Sequence, residues 1–308
     1  MIINTGQRTD IPAFYAEWFA NRLKEGMVCV RSPYRHELVT RFRLDPDTVD
    51  LIVFGTKNPK PFFPYLPLLA DYGQLWHMTL TPYGKDMEPN VPDKHELIRT
   101  FQELSRQVGK HRIVWRYNPV FLSEKYSLDY HLRAFRTIAS ELAGYTDTVV
   151  ISFIDLYAKV LKNYPDVREV SLSEQITLGK ELIRIAGEYG MKLKTCAEGT
   201  ALEPYSADCS GCARTEDLEK ALGKPLSVPK YTPGRKICTC YLSNDIGAYD
   251  TCMHLCRYCY ANSDAQQVRK NHAVHDPASP FLLGNYEEGD IVRDAQQRSW
   301  IDQRLRLL

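Results

Sequence analysis

The 308-residue chain lacks most features that would tie a protein to a membrane, a nucleic acid or the cell exterior. It has no run of about 18 apolar residues, so no segment is expected to span a bilayer. Lysine and arginine number 39 against 38 aspartates and glutamates, a formal net charge of +1. A chain so balanced offers neither a broad basic field, so nucleic acid is not indicated, nor a solvating acidic tail. The opening residues Met1-Ile2-Ile3-Asn4-Thr5 reach Arg8 and Asp10 at once. They lack the basic, apolar and small-residue order of a secretory signal, and the expected location is cytoplasmic. Internal repeats and low-complexity tracts are also missing, and no linker divides the chain. Residues 1–308 are therefore expected to form one domain. What is present is ordinary for a globular core: 44% apolar and 25% charged residues.

Cysteine is the exception. Nine are present, and eight of them lie between Cys196 and Cys259. An odd total without a secretion signal argues against a disulfide framework, and dense clustering in a reducing compartment argues for metal. Cys252, Cys256 and Cys259 stand at C-x3-C-x2-C spacing with Tyr258 before the third thiol. Three thiolates on one tight loop can hold three irons of a [4Fe-4S] cluster and leave the fourth open. A second set comprises Cys196, Cys209, Cys212, Cys238 and Cys240. Four of these five suit either an auxiliary cluster or a structural zinc. Cys29 stands alone and reads as a small buried hydrophobe.

Short runs rich in valine and isoleucine read as parallel strands covered on both faces: Ile2–Asn4, Met27–Arg31, Leu51–Phe54, Leu75–Leu80, Arg112–Arg116, Thr148–Phe153 and Leu193–Cys196. Helical stripes lie between them, over Ile11–Leu23, His95–Val108, Leu128–Leu142 and Ile176–Ala186, with a weaker one at Pro61–Leu69. Lys236–Leu242 supplies an eighth strand, and a helix over Ala261–Lys270 follows the cysteine loop. The alternation predicts an α/β fold, a TIM-like (β/α)8 barrel. The iron–sulfur loop falls at about 236–262, and 199–235 reads as an irregular, cysteine-bearing insertion.

Chemistry in such a barrel gathers where strands end. The strand ends here carry Arg8 and Asp10, Arg31, Lys57, Arg116, Asp155 and Glu198. Plainer readings stand beside each: Asp10 fits an N-cap, Arg8 and Asp10 can pair, and Asn118-Pro119 is a turn signal. As a set they form a cradle for an anionic or zwitterionic ligand. His77 and His254 are further possible ligands.

Two motifs resemble the DUF1848 family: Arg8–Tyr15 (Arg-Thr-Asp-Ile-Pro-Ala-Phe-Tyr), and Asp245–Asn262, which ends in Cys-x3-Cys-x-Tyr-Cys-Tyr-Ala-Asn. The family's Cys-Ala-Glu, Gly-x-Cys and C-x-C match Cys196–Glu198, Cys212 and Cys238/Cys240. The resemblance therefore implies Cys196, Cys212, Cys238 and Cys240 as the second metal set, with Cys209 a local extra. The terminal loop also resembles the radical S-adenosylmethionine (SAM) signature. That implies SAM on the open iron, Tyr258 near its adenine, and Arg31, Lys57, Arg116 and Asp155 around the cofactor. Arg8, Asp10 and Glu198 are the catalytic candidates. Such chemistry implies a ferredoxin or flavodoxin as electron donor and a small-molecule or peptide substrate. In radical SAM enzymes the loop follows the first strand. Here it would follow the last, which implies a circularly permuted barrel. The segment expected to read Gly-Gly-Glu is then Thr5–Asp10. Two other readings compete: a barrel hydrolase or lyase using an open iron or zinc as Lewis acid, and a non-catalytic electron-transfer or sensor module.

Overall fold

The computed structural model describes residues 1–229, 240–241, 244–302 and 304. Its strands, in chain order, are β1 (Ile2–Asn4), β2 (Met27–Arg31), β3 (Leu38–Arg43), β4 (Leu51–Thr56), β5 (Gly73–Thr79), β6 (Ile113–Val120), β7 (Thr148–Phe153), β8 (Lys192–Thr195) and β9 (Ile291–Asp294). The helices are α1 (Ile11–Phe14), α2 (Ala16–Glu25), α3 (Lys94–Val108), α4 (Leu128–Leu142), α5 (Ala158–Asn163), α6 (Leu172–Glu188), α7 (Thr215–Leu222) and α8 (Ala265–Ala273).

The fold is mixed α/β, built on a six-stranded parallel sheet in the order β1-β4-β5-β6-β7-β8. Alternate residues of each strand serve opposite faces. Ile52, Phe54, Trp76, Met78, Trp115, Val149 and Ile151 join the main core with the amphipathic helices. Ile2, Leu51, Val53, Leu75, Val114 and Val150 form a second apolar layer, closed by Leu218 and Ala221 of α7 and by Leu226. Burial on both faces is why these strands read as continuous apolar runs.

Both edges of the sheet are extended by single parallel bridges. Asn4 bridges to Asp245 beside β1, and Lys194 bridges to Asp208 beside β8. Between these bridges the Tyr241 N–H donates to the Ala213 carbonyl at 3.1 Å. The eighth strand expected at Lys236–Leu242 lies mostly outside the described residues.

One strand goes elsewhere. Met27–Arg31 was expected in the parallel sheet, yet β2 pairs antiparallel with β3, and β9 completes a separate three-stranded sheet. The six residues between β2 and β3 suffice for a hairpin, whereas a parallel partner needs a long crossover. The helix expected over Ile11–Leu23 is broken at Tyr15 into α1 and α2. Pro61–Leu69 falls in a 3-10 helix, because Pro64 and Pro67 remove the donors an α-helix needs.

Candidate metal centre and the cysteine loop

His77, Arg116 and Cys196 continue the register of Leu75, Val114 and Lys194, which places them above the apolar layer on the same face of the sheet. Cys196 is the residue after β8. Cys212 lies just beyond the Asp208 bridge, and Cys240 just before the Asp245 bridge. The fold thus brings three thiols from separate segments together. Cys196 Sγ is 3.4 Å from Cys212 Sγ, which is 3.1 Å from Cys240 Sγ. All three sulfurs lie within 4.8 Å of one another, a group that could hold a metal ion. Cys212 and Cys240 are buried, the Cys212 N–H donates to Cys240 Sγ, and no described cysteine forms a disulfide.

The charge here is shared. Hydrogen bonds from Cys212 and Cys240, with the Arg116 guanidinium alongside, hold the Cys196 thiol well below its ordinary range. Cys212, bound to Cys196, is pushed up to about 12. Arg116 is half-buried beside both thiols. Burial disfavours its charge, but the sulfurs outweigh that and hold it protonated. Its Nη1 is 3.0 Å from His77 Nδ1, and its Nε donates to Asn118 Oδ1 at 3.0 Å. Burial, then Arg116, lowers His77 to about 3, so its ring is neutral.

The loop bearing Cys252, Cys256 and Cys259 follows the Asp245 bridge. It is tied down on several sides. The Tyr260 hydroxyl donates to the Gln7 carbonyl at 2.6 Å, Asn262 Nδ2 to the Cys252 carbonyl at 2.8 Å, and the Arg257 N–H to the Met87 carbonyl at 3.0 Å. Leu255 takes a left-handed φ of 55° between the first two cysteines. That conformation costs a branched side chain about 1–2 kcal/mol. All three thiols are pushed up, first by burial. Cys252 is raised further by Asp10, Cys259 and Cys256, while Lys57 opposes the rise at Cys256 and Cys259. The loop sulfurs are more spread than the inner trio, which alone among the described residues meets the 4.8 Å spacing.

Beneath the loop lies a buried ionic cluster. Glu88 accepts from Lys57 Nζ at 2.8 Å, from Thr81 Oγ1 at 2.6 Å, and from Lys94 and the Tyr258 hydroxyl. Burial raises the Glu88 carboxyl, but the two lysines overcome this and hold it at about 2. Tyr258 is buried against Tyr83 and Phe121. Asp10 caps α1 through the Ala13 N–H at 3.1 Å, and also accepts from the Lys57 N–H at 2.7 Å and from His254 Nε2 at 2.9 Å.

The strand-end residues divide accordingly. Asp10, Lys57 and Tyr258 gather under the loop, and Arg116 joins the inner thiols. Arg8 pairs with Asp245 at 2.8 Å beside β1. Glu198 accepts the Phe153 N–H at 3.1 Å, next to the end of β7. Asp155 is exposed and accepts from the Tyr157 hydroxyl. Arg31 departs from the expected cradle: it lies on the second sheet, bound to Asp290 and the Asn285 carbonyl. Cys238 lies outside the described residues. Cys209 packs at the edge of the main core, and Cys29 is buried beside Val39 and Phe281. His77, expected only as a possible ligand, lies beside Arg116. Glu88, Lys94 and Asp245 escaped sequence reasoning as site residues; they sit in loops or at a helix start, where charge is unremarked.

The family profile described as a domain of unknown function, DUF1848, matches residues 2–261, and the chain belongs to that family. A search of the curated proteins finds no match. Among the described residues no helix is long and apolar enough to cross a membrane.

Proposed function

We propose that this DUF1848 member is an iron–sulfur enzyme of radical SAM type, with its cluster on Cys252, Cys256 and Cys259 and a second metal on the inner trio. The observation that carries the reading is the loop itself: three thiols at C-x3-C-x2-C spacing, Cys256 buried and Cys252 and Cys259 half-buried, wrapped through Leu255 and set beside the sheet edge at β1. The donor set fits. Three thiols whose charges oppose one another need a cation to be deprotonated together, and the Ala261 N–H already points at Cys259 Sγ, at 3.3 Å. A [4Fe-4S] cluster held there would supply one iron open to the amino and carboxylate groups of SAM. Lys57 would balance the negative charge beside Cys256, and Glu88 and Asp10 hold that lysine's ammonium and backbone in place. The bridges at Asp208 and Asp245, with the Ala213 to Tyr241 hydrogen bond between them, favour a sheet closed as a permuted (β/α)8 barrel. Arg8, Glu198, Arg116 and Asp155 are the residues we assign to substrate and cofactor around its mouth. The electron donor would be a ferredoxin or flavodoxin, and the location cytoplasmic.

Anaerobic reconstitution tests the reading. Iron should bind through the loop, and reduction with SAM should release deoxyadenosine. A reconstituted protein that never yields deoxyadenosine sinks the SAM assignment.

One observation favours a second reading. Asp10, the one carboxylate of the Thr5–Asp10 segment, already accepts three hydrogen bonds, so it has little capacity left for the SAM amine. If the metal is instead a Lewis acid for hydrolysis or elimination, turnover should persist without SAM or reductant.

A further inference from the structure

The sulfur spacing of the inner trio distinguishes the kind of metal it takes. Two thiolates on one tetrahedral ion, with bonds of about 2.3 Å, stand about 3.8 Å apart. Cys196, Cys212 and Cys240 are at 3.4 and 3.1 Å, with every pair inside 4.8 Å. Thiolates on different irons of a cluster stand further apart, because the metal–metal separation adds to the two bonds. The trio would have to open to admit a cluster. To admit one ion, its two hydrogen-bonded sulfur pairs need open by only about 0.4 and 0.7 Å.

Three other features agree. The site is shielded: Cys212 and Cys240 belong to the apolar layer with Ala213, Leu218 and Ala221, and the three thiols fill three of the four positions of a tetrahedral ion. The charge closes as well. Three thiolates outweigh a divalent ion by one unit, and Arg116, half-buried beside Cys196 and Cys212, supplies one unit of the opposite sign. Finally, the three ligands lie on the segments that continue the sheet past its two edges: Cys196 after β8, Cys212 after the Asp208 bridge, and Cys240 before the Asp245 bridge.

We propose that Cys196, Cys212 and Cys240 bind a single zinc ion that fastens the segments joining β8 to β1, with the adjacent Arg116 as its counter-charge. This rests on the trio being a metal site and is independent of what the outer loop carries. Thiolate ligands select zinc, copper(I) or iron–sulfur chemistry; the sulfur spacing favours one ion over a cluster, and a divalent ion is the one whose charge Arg116 completes.

The test uses the full chain purified anaerobically, as wild type and with Cys252→Ser, Cys256→Ser and Cys259→Ser combined. Both should carry one zinc per chain, and X-ray absorption of the triple variant should show sulfur at about 2.3 Å and no metal–metal scattering. Arg116→Gln should keep the fold and weaken zinc about 10- to 100-fold in competition with a chelator. Because Cys212→Ser puts a hydroxyl into the apolar layer and so threatens the fold itself, an organomercurial titration of wild type gives a second readout, with zinc leaving as the trio's thiols react. Metal–metal scattering in the triple variant, or a triple variant that carries no zinc, overturns the proposal. Wild type with one zinc and no iron sinks the cluster reading of the loop and upholds this one.

Discussion

Replacing Glu88 with glutamine tests the ionic cluster under the cysteine loop. Glu88 is 1% exposed and stands between Lys57 and Lys94, with Thr81 and Tyr258 also donating to it. Glutamine keeps the shape and removes the charge, leaving two half-buried ammonium groups beside an uncharged, buried side chain. Breaking a buried pair by removing one partner costs about 3–5 kcal/mol, because the remaining charge is uncompensated. Burial alone lowers the pKa of both lysines. Glu88 reverses this at Lys57 but not at Lys94, so Lys94 should lose its proton first in the variant. Linkage gives an independent figure. The carboxyl falls from 4.5 unfolded to about 2 folded. A depressed carboxylate contributes stability that is present above the unfolded value and lost as pH falls through the folded one. About 2.5 units at 1.36 kcal/mol each is roughly 3 kcal/mol, lost between about pH 4.5 and 2. Urea unfolding at pH 7 should therefore show Glu88→Gln less stable by about 3–5 kcal/mol with an unchanged m-value. Adding Lys94→Met should restore part of the loss by removing the surplus cation. A loss below about 1 kcal/mol, the size expected of an exposed pair, would refute the reasoning. So would a double variant no more stable than the single.

Other perturbations probe the frame and the thiols. Gly6→Ala places a Cβ against the Gly55 backbone, which cannot retreat without moving β4, so a loss of about 1–3 kcal/mol or more is expected in thermal unfolding. Trp115 is fully buried, stacks on Phe135 at 4.6 Å and donates to the Leu80 carbonyl. Trp115→Ala should cost about 3–5 kcal/mol, and Trp115→Phe, which mainly orphans that carbonyl, about 1–3 kcal/mol by the same assay. Cys29 is buried and its thiol is raised by that burial, so a thiol reagent at neutral pH should label it only on unfolding; rapid native labelling would contradict its placement. Cys256→Ala should abolish iron incorporation by the loop and leave zinc at the inner trio, read by metal analysis; loss of both would mean the two thiol sets form one site.

What could be read from the residues follows from the physics of each element. The parallel strands were legible because burial on both faces writes itself as continuous valine and isoleucine. β7 was expected at Thr148–Phe153 and stands there. Strand character did not disclose the partner: Met27–Arg31 is a strand, but it pairs with β3, so Arg31 went to another sheet. β9 is four residues long and exposed throughout, which leaves neither periodicity nor hydrophobicity to detect. The C-x3-C-x2-C loop was legible because its ligands are local. The inner trio was legible only as a pool of candidates, since bringing Cys196, Cys212 and Cys240 together takes the parallel register that sets β8, the Asp208 bridge and the Asp245 bridge. Glu88 was invisible for the same reason: its partners Lys57, Thr81, Lys94 and Tyr258 converge only in three dimensions.

The two thiol sets are also not mechanically separate. Cys240 belongs to the inner trio, Asp245 bridges to β1 and binds Arg8, and Cys252 to Cys259 form the outer loop. These are successive stations on one stretch of chain. An ion that fixes Cys240 against Cys212 fixes one end of the stretch, and the Asn4 bridge at Asp245 anchors it midway. The geometry of the outer loop is then set from below, by the bridge at the sheet edge, as well as by its own Leu255 turn. Loss of the inner metal should therefore disturb the outer loop, whereas loss of the outer ligands should leave the inner site intact. That asymmetry follows from the order of the residues along the chain.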